Sequence, residues 1–147
     1  MIIELLFALV TSLDSRDPWA VDRRDNGSPY FHDTGFNVAI DCDGTFNFVV
    51  VKKDNPFYED LRRVAQERET IRFNMGKWHW RGEMTLATDR KDSAIFQADL
   101  GPDFIPALRQ PQAELAIHGL AQTFTIDFRS SLANQYQFAD ACRKFGQ

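Results

Sequence analysis

The sequence predicts an α+β domain that is mainly antiparallel β: a β-sandwich or strongly curved sheet, covered by a mid-chain helix and a C-terminal helix. Apolar and polar side chains alternate in several short segments between residues 36 and 128, which is the pattern of half-buried strands. Short turns separate most of these segments and favour antiparallel neighbours. Strands and helices do not alternate regularly, so a doubly wound fold is disfavoured.

The hairpin at residues 36–52 has the most specific local pattern. Its two strands, 36–41 and 45–52, flank a Cys-Asp-Gly loop that ends at Gly44. A two-residue turn would mix polar and apolar side chains on both faces, because a slip of one residue reverses every side chain. A three-residue loop with a left-handed Gly44 avoids this. It predicts the apolar pairs Ile40 with Phe46, Val38 with Phe48, and Phe36 with Val50.

Two helices interrupt the strand pattern. Asn55 is a suitable cap and Pro56 a suitable first residue for an amphipathic mid-chain helix. Ser130 or Ser131 is a suitable cap for the final helix. The inward side of that helix is predicted to carry Leu132, Tyr136 and Ala139, with Gln135, Phe138, Cys142 and Phe145 alongside.

The other elements are assigned from alternation and from Gly or Pro at their ends. A phase change in the alternation requires a turn or bulge at Gly76-Lys77. Strands are predicted around 19–21, 71–75, 78–86, 94–100, 113–117 and 124–128, a turn-forming segment at 22–29, and a short helix at 104–108.

Length and charge limit the classes of protein and partner. The 147 residues contain no repeat or linker and suit one domain, 1–147. The chain is acidic, with a formal net charge of -4 and a pI near 5.3, so broad attraction to phosphate backbones is weak and no nucleic-acid partner is expected. The apolar start is shorter than the roughly 20 residues that span a bilayer. Residues 1–15 are either a vestigial or truncated signal segment or a first strand.

The cysteines are few and far apart. Cys42 and Cys142 are separated by a hundred positions and form no zinc-type spacing, so no metal is expected, and the lack of a glycine-rich phosphate loop gives no reason to expect a cofactor. In an oxidising compartment the two could close a long loop, and in a reducing one they would remain small buried side chains. The spacing of the two cysteines is compatible with both the bonded and the reduced state.

Sequence motifs for catalysis are absent: the chain has no glycine-rich phosphate loop, GxSxG or HExxH motif. The three histidines, His32, His79 and His118, are scattered and are interpreted as surface or structural imidazoles. A nucleophilic Cys42 would need a nearby imidazole and a lowered thiol pKa, neither of which spacing can show. We therefore expect a protein that is not an enzyme and has no catalytic residues.

The segment Trp78-His79-Trp80 is the candidate binding site. In a strand both indoles point to one face and the imidazole to the other. Two exposed indoles would form an aromatic platform for a ligand or a partner. The alternative is a core stripe that continues into Met84 and Leu86. The exposure of the indoles distinguishes the two.

From Trp19 to the C-terminus, a series of framework residues resembles small alphaproteobacterial envelope proteins of the invasion-associated locus B type and related families. The matching residues are Trp19, Val21, Asn26, Gly27, Cys42, Trp78, the run 104–108, the runs 115–117 and 124–128, Leu132, Ala133 and Cys142. The resemblance implies an exported β-sandwich with a disulfide, and no particular activity.

Three hypotheses for function follow. The first is a non-catalytic binding domain of a small exported bacterial protein, periplasmic or secreted, that acts on a protein partner or small ligand. The second is a cytoplasmic acidic inhibitor or adaptor that acts stoichiometrically on a protein partner and is encoded by a mobile element. The third is an unfamiliar enzyme that uses Cys42 or a histidine.

Overall fold

The computed structural model describes residues 18–35, 37–109 and 114–146. The predictions for the segment 1–15, for Phe36 and for Ala113 lie outside these residues. The described strands are β1 Trp19–Arg23, β2 Pro29–Asp33, β3 Val38–Asp41, β4 Thr45–Val51, β5 Ile71–Met75, β6 Trp78–Gly82, β7 Thr85–Asp89, β8 Ser93–Asp99, β9 Glu114–His118 and β10 Phe124–Asp127. The helices are α1 Pro56–Gln66, α2 Phe104–Ala107 and α3 Leu132–Phe145, with a 3₁₀ turn at Arg129–Ser131 before α3.

The strands form two antiparallel sheets around one hydrophobic core. The six-stranded sheet has the order β1-β2-β3-β4-β8-β7, and the four-stranded sheet has the order β10-β9-β5-β6. Their facing sides meet through aromatic rings: Phe46 lies 5.0 Å from Phe73, and Phe48 lies 5.7 Å from Phe124, between ring centroids. The predicted fold class, mainly antiparallel α+β with two helical covers, is confirmed.

The two longer helices pack against different ends of the six-stranded sheet. Helix α3 contacts β1 and β2, where Phe138 stacks on Phe31 at 5.4 Å. Helix α1 contacts β4, β7 and β8, and its Phe57 stacks on Phe124. As predicted, Asn55 caps α1, because its side-chain oxygen accepts a 3.1 Å hydrogen bond from the Phe57 N–H. None of the described helices is both long and apolar enough to cross a membrane.

The β3–β4 hairpin has the predicted three-residue loop. Ile40 pairs with Phe46 and Val38 with Phe48. Gly44 has a φ of +88°, and a Cβ built on it would lie only 1.9 Å from the carbonyl oxygen of Gly101. Left-handed backbone and close approach therefore both require glycine at this position.

The segment 22–29 was predicted to be a turn, but only residues 24–28 lie between strands. Strand β1 continues to Arg23, and β2 begins at Pro29. A proline is compatible with the first residue of a strand. The sequence pattern does not predict strand β2, because Phe31 is the only large apolar residue of its core and its neighbours His32 and Asp33 are polar although buried.

The segment 78–86 is two strands in two different sheets. The chain leaves the four-stranded sheet after Gly82 and joins the six-stranded sheet at Thr85. Met84 is buried at the crossing, whereas Leu86 is 42% exposed. The expected single core stripe through Leu86 is therefore wrong, because the crossing ends one alternation and begins another.

Two predictions for the final helix are wrong: the capping bond at its start and the width of its buried side. The Ser131 hydroxyl accepts a 2.8 Å hydrogen bond from the Trp19 N–H and makes no capping bond to the helix. Tyr136 and Phe145 are 37% and 48% exposed. The buried side is narrower than predicted and consists of Gln135, Phe138, Ala139 and Cys142, on the side of the helix that faces β1, β2 and α2.

Candidate functional site

The two indoles of the candidate segment are half-buried and packed on the core side of β6. The Trp78 ring lies 4.8 Å from Phe104, and the Trp80 ring lies 5.5 Å from Phe73. The Trp80 ring also covers Gly82 on the same strand, and a Cβ built on Gly82 would lie only 2.5 Å from Trp80 Cζ2. The indoles thus form an aromatic border at the rim of the core.

Strand β6 is an edge of the four-stranded sheet. It pairs with β5 on one side, and no strand in the described part of the chain pairs with its other side. An edge strand presents backbone N–H and C=O groups that can pair with another extended chain. His79 and Arg81 project from this edge on the outer face and are exposed.

On the outer face of the same sheet, further arginine and histidine side chains lie beside those of β6. The register places Arg72 directly opposite Arg81 on one side and opposite His118 on the other. Asn74 lies opposite His79 in the next row. We call the set Arg72, His79, Arg81 and His118 the cationic face.

The arginines of the cationic face repel each other. Like charges directly opposite each other in antiparallel strands are destabilising, by a few tenths to about 1 kcal/mol. Neither Arg72 nor Arg81 forms a hydrogen bond or ion pair with any side chain in the described ranges. The arrangement becomes favourable when an anionic group lies between the two guanidinium groups.

His32 is separate from the cationic face. It lies in β2 of the other sheet, is buried, and has its Nε2 2.5 Å from Asp22 Oδ2 and its Nδ1 2.7 Å from the Asp33 carbonyl oxygen. Both ring nitrogens are therefore engaged. Within the described ranges, no group of three or more His, Cys, Asp or Glu side chains is arranged to hold a metal ion.

The two cysteines form a disulfide, with their Cα atoms 5.3 Å apart. Cys42 lies in the turn between β3 and β4, and Cys142 lies in α3, so the bond joins the six-stranded sheet to the C-terminal helix. The disulfide prediction is confirmed. In this state Cys42 carries no thiol that could act as a nucleophile.

The arginines of helix α1 form ion pairs, whereas Arg72 and Arg81 of the cationic face form none with the described residues. Arg63 lies 2.9 Å from Asp60 and 2.7 Å from Glu69, and these hydrogen bonds raise the pKa of Arg63 above its ordinary value. Arg62 lies 2.9 Å from Glu59. This helix face is therefore a self-neutralising surface.

Arg72 is not among the site residues predicted from the sequence, although the hairpin turn that follows it predicts its position opposite Arg81. Gly76 has a φ of +59°, and the two-residue turn at Gly76-Lys77 pairs Met75 with Trp78. Counting back from that turn places Arg72 opposite Arg81. The neighbouring position of His118 has no such local signal, because β9 is distant in sequence.

No protein-family model, no curated protein and no solved structure matches this chain. The resemblance to envelope proteins of the invasion-associated locus B type therefore stays a prediction.

Proposed function

We propose that this protein is a non-catalytic binding domain of an exported bacterial protein, and that it captures an acidic, extended segment of a protein partner on the cationic face and the β6 edge. The observation that carries the proposal is the pair Arg72 and Arg81, which lie opposite each other with no anionic partner in the described part of the chain. Such a pair is favourable only in the presence of an added anion.

The edge position of β6 favours a polypeptide as the source of that anion. An extended peptide can add to an exposed edge as a further strand, in which its backbone provides affinity and alternate side chains provide specificity. Acidic side chains of such a strand would lie beside His79 and Arg81 on the outer face. The intervening side chains would meet the aromatic border of Trp78 and Trp80.

The overall charge of the protein disfavours a nucleic-acid partner. The net charge is -4, so the cationic face is a local feature on an acidic molecule. Long-range attraction of a polyphosphate chain needs a positive field over a larger surface. A short acidic peptide segment instead fits a patch that extends over three strands.

A non-catalytic role is consistent with the state of the two nucleophile and base candidates. An enzyme that uses Cys42 would need a free thiolate, whereas this sulfur is bonded to Cys142. His32 is buried with both ring nitrogens engaged. His79 and His118 lie on the cationic face, where they can contribute to binding of an acidic group.

Export to the periplasm or the cell exterior is supported by the disulfide, because such bonds form and persist in oxidising compartments. The test is the intact mass of the chain from its native host, measured without reduction. We expect a bonded cysteine pair. A chain with two free thiols and an intact N-terminus would contradict export and favour the cytoplasmic inhibitor or adaptor.

The binding proposal is tested with a fluorescein-labelled oligoglutamate peptide, followed by fluorescence anisotropy. Oligoglutamate should bind, oligolysine should not, and added salt should weaken binding because the charges are exposed. The double variant R72Q/R81Q should bind at least about tenfold more weakly, a loss of about 1.4 kcal/mol. The matched control is R90Q, which removes an exposed arginine from the β7–β8 turn of the other sheet.

Amide hydrogen exchange provides a second readout for the edge. Addition of oligoglutamate should slow exchange within 78–82, because a paired edge strand has protected amides. Unchanged exchange there, equal binding by R72Q/R81Q and R90Q, or stronger binding of single-stranded DNA than of oligoglutamate would each contradict the proposal.

A further inference from the structure

A second surface feature lies beside the disulfide, between α2 and α3. It is a cleft of about 300 Å³. Its floor contains Ile105, Ala139 and the Cys42–Cys142 bond, and Ile105, Ala139 and Cys142 are each less than a tenth exposed. This volume is at the lower end of the range for small-molecule sites, and an apolar lining with a few polar groups is typical of them.

Two arginines, Arg109 and Arg143, line the same cleft. Their terminal nitrogens approach one oxygen atom, Asp140 Oδ1, at 3.4 and 3.6 Å. That oxygen is buried and forms no hydrogen bond with the described residues, so the two ion pairs are loose. The shared carboxylate holds the guanidinium groups close together and neutralises only one of their two charges. One positive charge therefore remains beside an apolar floor.

We propose that this cleft binds a small amphiphilic carboxylate. The carboxylate lies between Arg109 and Arg143, whose planar guanidinium groups match its geometry. The apolar chain covers Ile105, Ala139 and the disulfide. A purely hydrophilic anion would leave this floor uncovered, and a neutral apolar ligand would leave the excess charge unpaired, so the two halves of the cleft together select an amphiphile.

This site is independent of the proposed partner-binding function. It shares no residue with the cationic face or with β6, and its lining comes from α2, α3, residues that flank α2, and the β3–β4 turn. Its ligand would have one further effect, because the disulfide is part of the floor. An apolar chain over the sulfur atoms excludes a reductant, and thiol–disulfide exchange depends on access to the sulfur.

The experiment uses octanoate as the probe and the oxidised full chain. Saturable ¹H–¹⁵N shifts are expected for the backbone amides of Ile105, Ala139 and Arg143. The rate of disulfide reduction by dithiothreitol should fall in parallel with occupancy. Octanol, which lacks the charge, and acetate, which lacks the chain, should each bind at least about fivefold more weakly, or about 1 kcal/mol.

Two charge-removing variants and a matched control locate the ligand. R143Q and R109Q should each weaken octanoate binding at least about fivefold. K144Q is the control, because it removes the same charge from the next residue of the same helix, outside the lining of this cleft. Arg109 and Arg143 are half or more exposed, so both variants should keep the fold, which the dispersion of the spectrum checks.

Three results would overturn the proposal. One is octanol binding as tightly as octanoate. Another is equal octanoate affinity in R143Q, R109Q and K144Q. The third is a reduction rate that does not change when the amide shifts show saturation.

Discussion

The outer faces of the two sheets carry polar side chains in the same alternation, yet they are organised in opposite ways. On the six-stranded sheet, Asn47 donates hydrogen bonds of 2.9 Å to the Ala39 carbonyl and 3.0 Å to Asp41, and accepts one of 2.8 Å from Gln97. On the four-stranded sheet, the side chain of Asn74 forms no hydrogen bond with any residue in the described ranges.

The two faces therefore differ in how many of their polar side chains are bonded within the folded chain. On the six-stranded sheet, the side chains of Asn47, Asp41 and Gln97 bond to one another, so they stabilise the folded chain. On the four-stranded sheet, the Arg72 and Arg81 side chains face solvent and form no ion pair with the described residues, so they contribute no such bonds to the folded chain. Substitutions on the first face should therefore change folding, and substitutions on the second should change binding.

The largest expected effect comes from the disulfide that attaches α3 to the six-stranded sheet. Replacing both cysteines with alanine should lower the free energy of unfolding by about 3–5 kcal/mol, because the bond closes a loop of about 100 residues. Urea unfolding of C42A/C142A and the oxidised wild type measures this. A loss below about 1 kcal/mol would show that helix packing alone holds this side of the molecule.

The next effect compares one residue type on the two faces. Asn47→Ala should cost about 2 kcal/mol, because it removes the three hydrogen bonds of a buried side chain and leaves the Gln97 amide without its partner. The matched Asn74→Ala should change stability by less than about 0.5 kcal/mol. Both values come from urea unfolding. Equal losses of stability in the two variants would contradict the difference between the two faces.

A smaller effect, of opposite sign, is expected on the cationic face. Arg72→Thr or Arg81→Thr should leave stability unchanged or raise it by up to about 0.5 kcal/mol, since threonine suits a strand and the repulsion disappears. A double-mutant cycle at low salt should give a repulsive coupling that shrinks as salt screens the charges. An attractive coupling would show that the two arginines are paired through another group.

The smallest effect concerns an ion pair between Lys52, which follows β4, and Asp89, the last residue of β7. The hydrogen bond from Lys52 to Asp89 raises the pKa of Lys52 above its ordinary value of 10.5. Its contribution is therefore complete below about pH 10 and is lost as the pH rises through the raised pKa.

Lys52→Gln should consequently be slightly less stable than the wild type at about pH 8, and this deficit should shrink at about pH 11.5. Lys53→Gln is the control, because Lys53 is exposed and forms no ion pair with the described residues. Urea unfolding at the two pH values measures the difference. A deficit that grows with pH would contradict the assigned pair.

Much of the fold could be predicted where neighbours in sequence are also neighbours in space. The β3–β4 register, the Asn55 cap and the turn at Gly76-Lys77 each depend on a few consecutive residues. The errors fall where tertiary contacts override local pattern. Leu86 follows a change of sheet, and the Ser131 hydroxyl bonds to Trp19, which is more than a hundred residues away.

The candidate sites divide in the same way. Period-two alternation alone placed His79 on the face opposite to Trp78 and Trp80, since successive side chains of a strand point to opposite faces. Local sequence pattern was thus enough to predict most of the strands, the register of the β3–β4 hairpin and the alternation of side chains along each strand.

Other features are visible only in the folded chain. They are the assignment of strands to sheets, the edge position of β6, the pairing of His118 with Arg72, and the bond between Cys42 and Cys142. These contacts close loops of tens of residues or more, and their free energy comes from burying both sheet faces and the helices together. No short segment contains that information, because each contact is favourable only when the whole core has formed.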